Sequence, residues 1–217
     1  MSENLHTDHH QGGGSLAEHL DGDPLEILRR WLREAEASGA VMPATMTLAT
    51  TDGDEPHART VVVTTVTEAG LTFHSSTPTT KSRDLRAVAK AAGVFHWPTA
   101  GRQVVLAGSV TELSDEESAA AYATRPRQLQ LIAWVYQDLG QDLHGPAWEV
   151  AADRVQQRMD AAAARDPATL QRPPSWTTFR IAPRQMDFWQ AGTEVVAPTK
   201  TRFLRDGDRW VRSEALP

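Results

Sequence analysis

Arg59 opens a long Thr/Val run. Thr79, Thr80 and Lys81 precede a helical pattern, Gln103 opens a second β-branched run, and Arg202 follows a loop near the C-terminus. Hydroxyls, an ammonium and unpaired backbone N–H groups at a helix start suit a phosphate, because both the donors and the helix dipole favour an anion there. Each residue also has an ordinary structural use: Arg59 in a surface pair, Lys81 as a solvated charge, Gln103 at a strand edge. Spacing alone therefore gives an anion-site hypothesis and nothing sharper. The stretch 187–203, DFWQAGTEVVAPTKTRF, places two aromatics at the mouth of a Gln-Ala-Gly turn and then a run with few charges. No nucleophile elbow, P-loop, Rossmann glycine fingerprint or HExxH pair occurs, and no catalytic residue is assigned.

The elements that must position these residues follow from pattern. Asp23, Pro24 and Glu26 start a helix in which Leu25, Leu28 and Leu32 share a face flanked by Ile27 and Trp31, and Gly39 offers a stop. From Thr45 to Leu113 the signal is strand: TMTLAT, ARTVVVTTV and LTFHSS read as an antiparallel meander, SRDLRAVAKAA (82–92) as a short helix, and GVFHW and RQVVLAGSVTEL as further strands. Ser114 and Glu117 form a capping box for a helix to about Arg125. QLQLIAWVYQDL and WEVAADRVQQRMDAAAAR predict two more helices, DPATLQRPP a linker, and WTTFRIAPRQMDFW and RFLRDGDRWVR late strands. The order predicts an α+β fold, a small antiparallel barrel with helices packed at its ends.

Residues 1–22 read as a mobile tail, whose HTDHH cluster lacks the fixed geometry of a functional metal site, and 23–217 as a single domain. A net charge of −6 argues against nucleic-acid binding, and the absence of cysteine excludes disulfides and thiolate chemistry. No run approaches the ~18 apolar residues of a membrane span, and no signal-peptide core is visible. A soluble, cytoplasmic protein with no membrane partner is expected.

The chain resembles the pyridoxine (pyridoxamine) 5′-phosphate oxidase family from about Asp23 to Pro217. The matching stretches are DPLEILRRWLREA, ARTVVV, GLTFHSSTPTTK, GRQVVLAG, RPRQLQLIAWV, and DFWQAG followed by RFLRDGDRW and Pro217. Their shared order is more specific than any one of them. The resemblance implies an antiparallel split β-barrel with peripheral helices, a homodimer with FMN at the subunit interface. It assigns Arg59, Lys81 and Arg202 to the flavin phosphate, Gln103 to the isoalloxazine, Val61 and Val62 to the strand along the cofactor, and Trp189 to packing near it. Thr64, His74, Ser75 and Thr80 complete the cofactor set. Thr80 stands where the vitamin-pathway enzymes carry an Arg, and His74-Ser75 where they carry Tyr-Thr.

On the substrate side the resemblance implies larger changes. Thr64 replaces a Lys that grips pyridoxal phosphate, and Ala121 and Leu129 replace Tyr and Ser contacts, whereas Arg125 of the RPR motif is kept. Val195, Val196 and Ala197 replace an Arg-Leu-His segment. Each lost charge-assisted donor removes roughly 1.5–3 kcal/mol. The substrate set is then Arg125, as an anion anchor, with Leu129, Val195 and Ala197 as an apolar lining. A hydroxyl residue at position 64 is similar to the phenazine-biosynthesis branch of the family, although that branch keeps the Arg-Leu-His segment. The expectation is an FMN-dependent oxidase of a small cyclic or aromatic metabolite in secondary metabolism, with hydride transfer to FMN and reoxidation by O₂. Three alternatives stay open: a pyridoxine/pyridoxamine 5′-phosphate oxidase proper, a non-catalytic flavin- or ligand-binding barrel, and a barrel that has lost its cofactor.

Overall fold

The computed structural model describes residues 18–142, 152–165 and 170–217. Among the described residues, nine strands form one antiparallel sheet: β1 (Thr45–Thr51), β2 (Pro56–Val62), β3 (Thr65–Thr67), β4 (Gly70–Ser76), β5 (Lys90–Trp97), β6 (Arg102–Glu112), β7 (Trp176–Gln190), β8 (Thr199–Asp206) and β9 (Arg209–Glu214). The described helices are α1 (Pro24–Ala37), α2 (Thr80–Ala87), α3 (Asp115–Ala123), α4 (Arg127–Asp142) and α5 (Ala152–Ala163). None is long and apolar enough to cross a membrane.

The sheet order is β2-β1-β5-β6-β7-β4-β3, so β2 and β3 form opposite edges although only Val63 and Thr64 separate them in the chain. Val63 N donates to Ala44 O beside β1, and Thr64 N donates to Thr72 O on β4, each at 2.9 Å. Between these residues the chain leaves one edge for the other, which forces the sheet to curl into a half-barrel. The expected meander is corrected here: 58–66 is not one strand, and β4 pairs with β3 and β7 rather than β2.

β7 is the hinge of the architecture. Its first half pairs with β4 through residues 176–181 and its second half with β8 through 185–190, while β6 runs along its other edge. The β6–β7 register shifts between Ala107 and Gly108: Ala107 faces Gln185 and Gly108 faces Pro183, leaving Arg184 as the extra residue. A single extra residue exchanges the two faces of a strand. Phe179, Ile181 and Pro183 therefore point into the core before the bulge, and Met186 and Phe188 after it, which turns Asp187 and Trp189 outward. Gly108 is required at this crossing, since a Cβ there would lie 2.1 Å from Ala182 O.

The barrel core holds Met46, Leu48, Phe73, Phe95, Leu106, Phe179, Phe188 and Phe203. α1 closes one side of it. Asp23 caps the helix, accepting from Leu25 N at 2.7 Å, and Trp31 packs edge-on against Phe188 at 5.2 Å. Glu26 pairs with Arg29 instead of turning back to the cap. The chain is already packed before Asp23. Leu20 is fully buried, Gln190 bonds the Glu18 backbone in both directions, and Arg212 Nε donates to Leu20 O at 2.6 Å. The tail expected over 1–22 thus does not extend through residues 18–22, where one isolated leucine gave no periodic signal. Residues 1–17, with the HTDHH cluster, lie outside the described residues, as do 143–151, which include the start of the predicted third helix, and 166–169 of the predicted linker.

Two helices begin at caps. Ser114 and Glu117 form the predicted capping box of α3. α2 starts at Thr80, two residues before the expected span, because Thr79 and Ser82 cap it reciprocally, and it ends at Ala87 so that Lys90–Ala92 enter β5. α3 and α4 cover the outer face of β4 and β7 through Tyr122, Ala133 and Trp176, and α5 packs on α4 through Ala162, Leu131 and Val135.

Candidate functional site

Alternation along β2 points His57, Arg59 and Val61 inward and leaves Thr60 and Val62 exposed. Arg59 lies at the barrel end closed by α2. Its Nη1 donates to Thr50 Oγ1 at 2.6 Å, and its Nη2 stands 3.7 Å from Asp84 Oδ2. Lys81, in the first turn of α2, is close enough that the Arg59 charge acts on it. Burial first, then Arg59, hold its ammonium below the ordinary lysine range. Lys81 Nζ has the Thr79 hydroxyl at 3.5 Å, and no described carboxylate pairs with it. Ser75 is buried and shares a hydrogen bond with Thr79 at 3.1 Å, while Thr80 occupies the first helical position. Two desolvated cations, hydroxyls and the open N–H groups of a helix start make a donor set matched to a phosphate. Arg59, Ser75, Thr80 and Lys81 are thus brought together around the start of α2.

His74 is not with them. β4 alternates, so His74 projects from the opposite face to Ser75, beneath α3 and α4. Its Nε2 meets Thr64 Oγ1 and its Nδ1 meets Thr178 Oγ1, both at 3.0 Å, and the ring stacks on Trp176 at 4.6 Å. Burial, with a smaller contribution from the Arg125 charge, lowers its pKa to about 4, so the ring is neutral at physiological pH. Burial also lowers the pKa of Arg125, which has no ion-pair partner among the described residues. Thr64, His74 and Arg125 therefore form a second group with one formal charge.

The third group is on the outer face of the sheet. Gln103 faces His96 on β5 and Trp189 on β7, and Trp189 faces Lys200 on β8. With Asp187 and Pro217 these residues line a cleft of about 410 Å³. Arg202 belongs here rather than with Arg59 and Lys81. It grips the buried Asp187 through Nε at 2.9 Å and Nη2 at 2.6 Å, and this pairing raises its pKa. Val195, 92% exposed, and Ala197 lie on the loop after Trp189, and Leu129 is exposed on α4. Leu129 is four residues from Arg125, but Val195 and Ala197 follow the far end of β7: Thr178, which holds His74, and Trp189 are 11 residues apart, roughly 36 Å along the strand contour.

Sequence reasoning missed Asp84, Thr50 and His57, which surround the Arg59 guanidinium, and Thr178 and Trp176, which hold His74. Thr50 and His57 are opposite in the β1–β2 hairpin, a pairing readable from the turn length. The docking of α2, which supplies Asp84, carries no such local signal.

A sequence model of the family described as pyridoxamine 5′-phosphate oxidase matches residues 34–190. A pyridoxine/pyridoxamine 5′-phosphate oxidase from Azorhizobium caulinodans is 40% identical over 169 residues, 77% of this chain and 76% of the relative. One so named from Cupriavidus necator is 36% identical over 199 residues, 91% of each chain. The crystal structure of PhzG from Burkholderia lata in complex with tetrahydrophenazine-1-carboxylic acid superposes with a TM-score of 0.80 at 22% identity, covering 94% of this chain and 100% of the other. A pyridoxamine 5′-phosphate oxidase-related, FMN-binding protein from Nostoc punctiforme gives a TM-score of 0.70 at 18% identity, over 88% and 96%. Both share the split-barrel fold.

Proposed function

Because the chain belongs to the pyridoxamine 5′-phosphate oxidase family, a family of flavin oxidoreductases, we propose that it binds FMN and oxidises a small cyclic or aromatic metabolite that carries one anionic group. The observation that carries this reading is the pair of desolvated cations, Arg59 and Lys81, at the start of α2. These would hold the flavin phosphate together with the Thr79 hydroxyl and the α2 N–H groups. When bound, FMN supplies the acceptor for a hydride and is returned to its oxidised form by O₂.

The chain's own residues then have defined tasks. Arg125 anchors an anionic group of the substrate, because its charge is desolvated and unpaired among the described residues. Neutral His74, locked between Thr64 and Thr178, lies near that anchor without adding charge. A group with one cation suits a less charged substrate than a phosphorylated pyridine. This chemistry is compatible with secondary metabolism in the cytoplasm.

Gln103 and Trp189 would meet the flavin ring, but they lie three and four strands from β2, about 14 and 19 Å across the sheet, and on the outer face, opposite to Arg59. That face exposes apolar residues among its charges: Val62 is 40% exposed, Leu204 and Val211 are also exposed, and a hollow of about 720 Å³ is lined by Ala49, Ala92 and Ala107 together with Lys90, Arg184 and Arg205. A second copy docked with its Gln103 and Trp189 beside the first copy's Arg59 and Lys81 would make FMN an interfacial ligand of a homodimer. Mixing an Arg59→Gln/Lys81→Met chain with a Gln103→Leu/Trp189→Ala chain tests this. Random re-pairing restores about a quarter of the FMN sites if each site is shared, and none if each chain holds its own.

A second reading, oxidation of pyridoxine or pyridoxamine 5′-phosphate itself, is favoured by the names of the relatives. Anaerobic reduction of the flavin by each candidate decides between the two. Reduced aromatic carboxylates should reduce it faster than pyridoxine phosphate; the opposite order would establish the vitamin reaction. Bound FMN that neither class reduces would make the protein a carrier.

A further inference from the structure

Asp84 is the most deeply buried carboxylate of the barrel end, with its side chain 3% exposed. Its Oδ2 accepts from Thr50 Oγ1 at 2.5 Å and from His57 Nδ1 at 2.9 Å, and faces Arg59 Nη2 at 3.7 Å. Thr50 in turn accepts from Arg59 Nη1 at 2.6 Å. The path from carboxylate to guanidinium is therefore a hydrogen-bonded relay through one hydroxyl, reinforced by a longer direct attraction. Asp84 and Lys81 are three residues apart on α2, on neighbouring positions of one helical face.

We infer that Asp84 is the positioning residue of the phosphate cradle: it fixes the Arg59 guanidinium beside Lys81 and leaves the remaining N–H groups of Arg59 directed to the ligand. The inference rests on the proposed FMN reading. Two opposed effects decide its sign. A carboxylate beside Arg59 subtracts positive charge and weakens anion binding, yet it also holds a desolvated guanidinium that would otherwise turn away from Lys81. The direct Nη2 to Oδ2 separation exceeds hydrogen-bonding distance. Among its described contacts, Arg59 spends Nη1 on Thr50 and, at 3.5 Å, on Leu48 O. Guanidinium has five N–H donors, so most stay available and orientation outweighs neutralisation.

The rival role is purely structural, with the Thr50–Asp84 bond docking α2 on β1. Titrations of the flavin-free full-length protein with FMN and with riboflavin, which lacks the phosphate, separate the two. The wild type should prefer FMN. Asp84→Asn should lower that preference by about tenfold or more and leave riboflavin affinity unchanged. Thr50→Val, which keeps the carboxylate and cuts the relay, should act in the same direction, and this covers the case in which Asp84→Asn fails to fold. In an Arg59→Gln background neither change should lower the preference further. Equal weakening of both flavins, an undiminished effect without Arg59, or a gain in FMN affinity would each overturn the inference. A wild type that binds FMN and riboflavin alike would overturn the phosphate cradle itself, and Asp84's role with it.

Discussion

Replacing Lys81 by methionine removes one charge and keeps an unbranched side chain in the same space. In the flavin-free protein that charge sits near Arg59, with the Thr79 hydroxyl 3.5 Å away, and burial and Arg59 both lower its pKa from 10.5. The unfolded chain thus holds this proton more tightly than the folded chain. Stability rises with pH between the lowered folded pKa and 10.5, and the full penalty of the buried ammonium is present below that window. At neutral pH the Lys81→Met protein, without flavin, should melt no lower than the wild type. FMN binding should move the other way. Losing one charge-assisted contact to a phosphate removes about 1.5–3 kcal/mol, roughly a 10- to 150-fold rise in Kd. Flavin-fluorescence quenching gives the Kd, and thermal melts without flavin give the stability. A destabilised apo-protein with unchanged FMN affinity would refute the reasoning, because Lys81 would then be a structural cation.

Thr64→Lys adds an ammonium beside His74 and should tighten binding of pyridoxal 5′-phosphate to the flavin-loaded protein by about tenfold; an absorbance titration checks it, and unchanged affinity would place the anion site elsewhere. His74 has a folded pKa of about 4 against an ordinary 6.5, so the unfolded chain takes up the proton first. Wild-type stability should fall as pH drops from 6.5 towards 4, and His74→Gln should flatten that part of the profile in urea unfolding. Gly70→Ala should destabilise by more than about 1 kcal/mol, since Gly70 has φ +124° and a Cβ would stand 2.0 Å from Ile181 O; chemical denaturation measures it, and a neutral result would contradict the close β4–β7 approach.

Local chemistry carried much of the fold into the sequence. Asp23 and Ser114 announce α1 and α3 through their caps, and the β-branched and aromatic content of β6 and β7 marks them as strands. What stayed hidden depends on long-range geometry. The edge-to-edge switch at Val63–Thr64 lies inside an unbroken β-branched run, where nothing local marks it. The bulge at Arg184 exchanges the faces of β7, so inward and outward positions on its second half cannot be counted forward from the first. For the site, the resemblance put Arg59 and Lys81 in one group, and the two lie near each other at the start of α2. It could not separate His74 from Ser75, which are adjacent in sequence and on opposite faces of β4. The pairing of Arg202 with Asp187 was missed for the same reason, since their opposition depends on the β7–β8 register.

The central claim is that Arg59 and Lys81 form a flavin phosphate site. The most direct test is the absorbance spectrum of the purified protein, followed by heat release and identification of any flavin, alongside an Arg59→Gln/Lys81→Met double variant. The account predicts stoichiometric FMN on the wild type and little or none on the variant. A colourless wild type that also takes up no added FMN, or a variant that keeps its FMN, would contradict it.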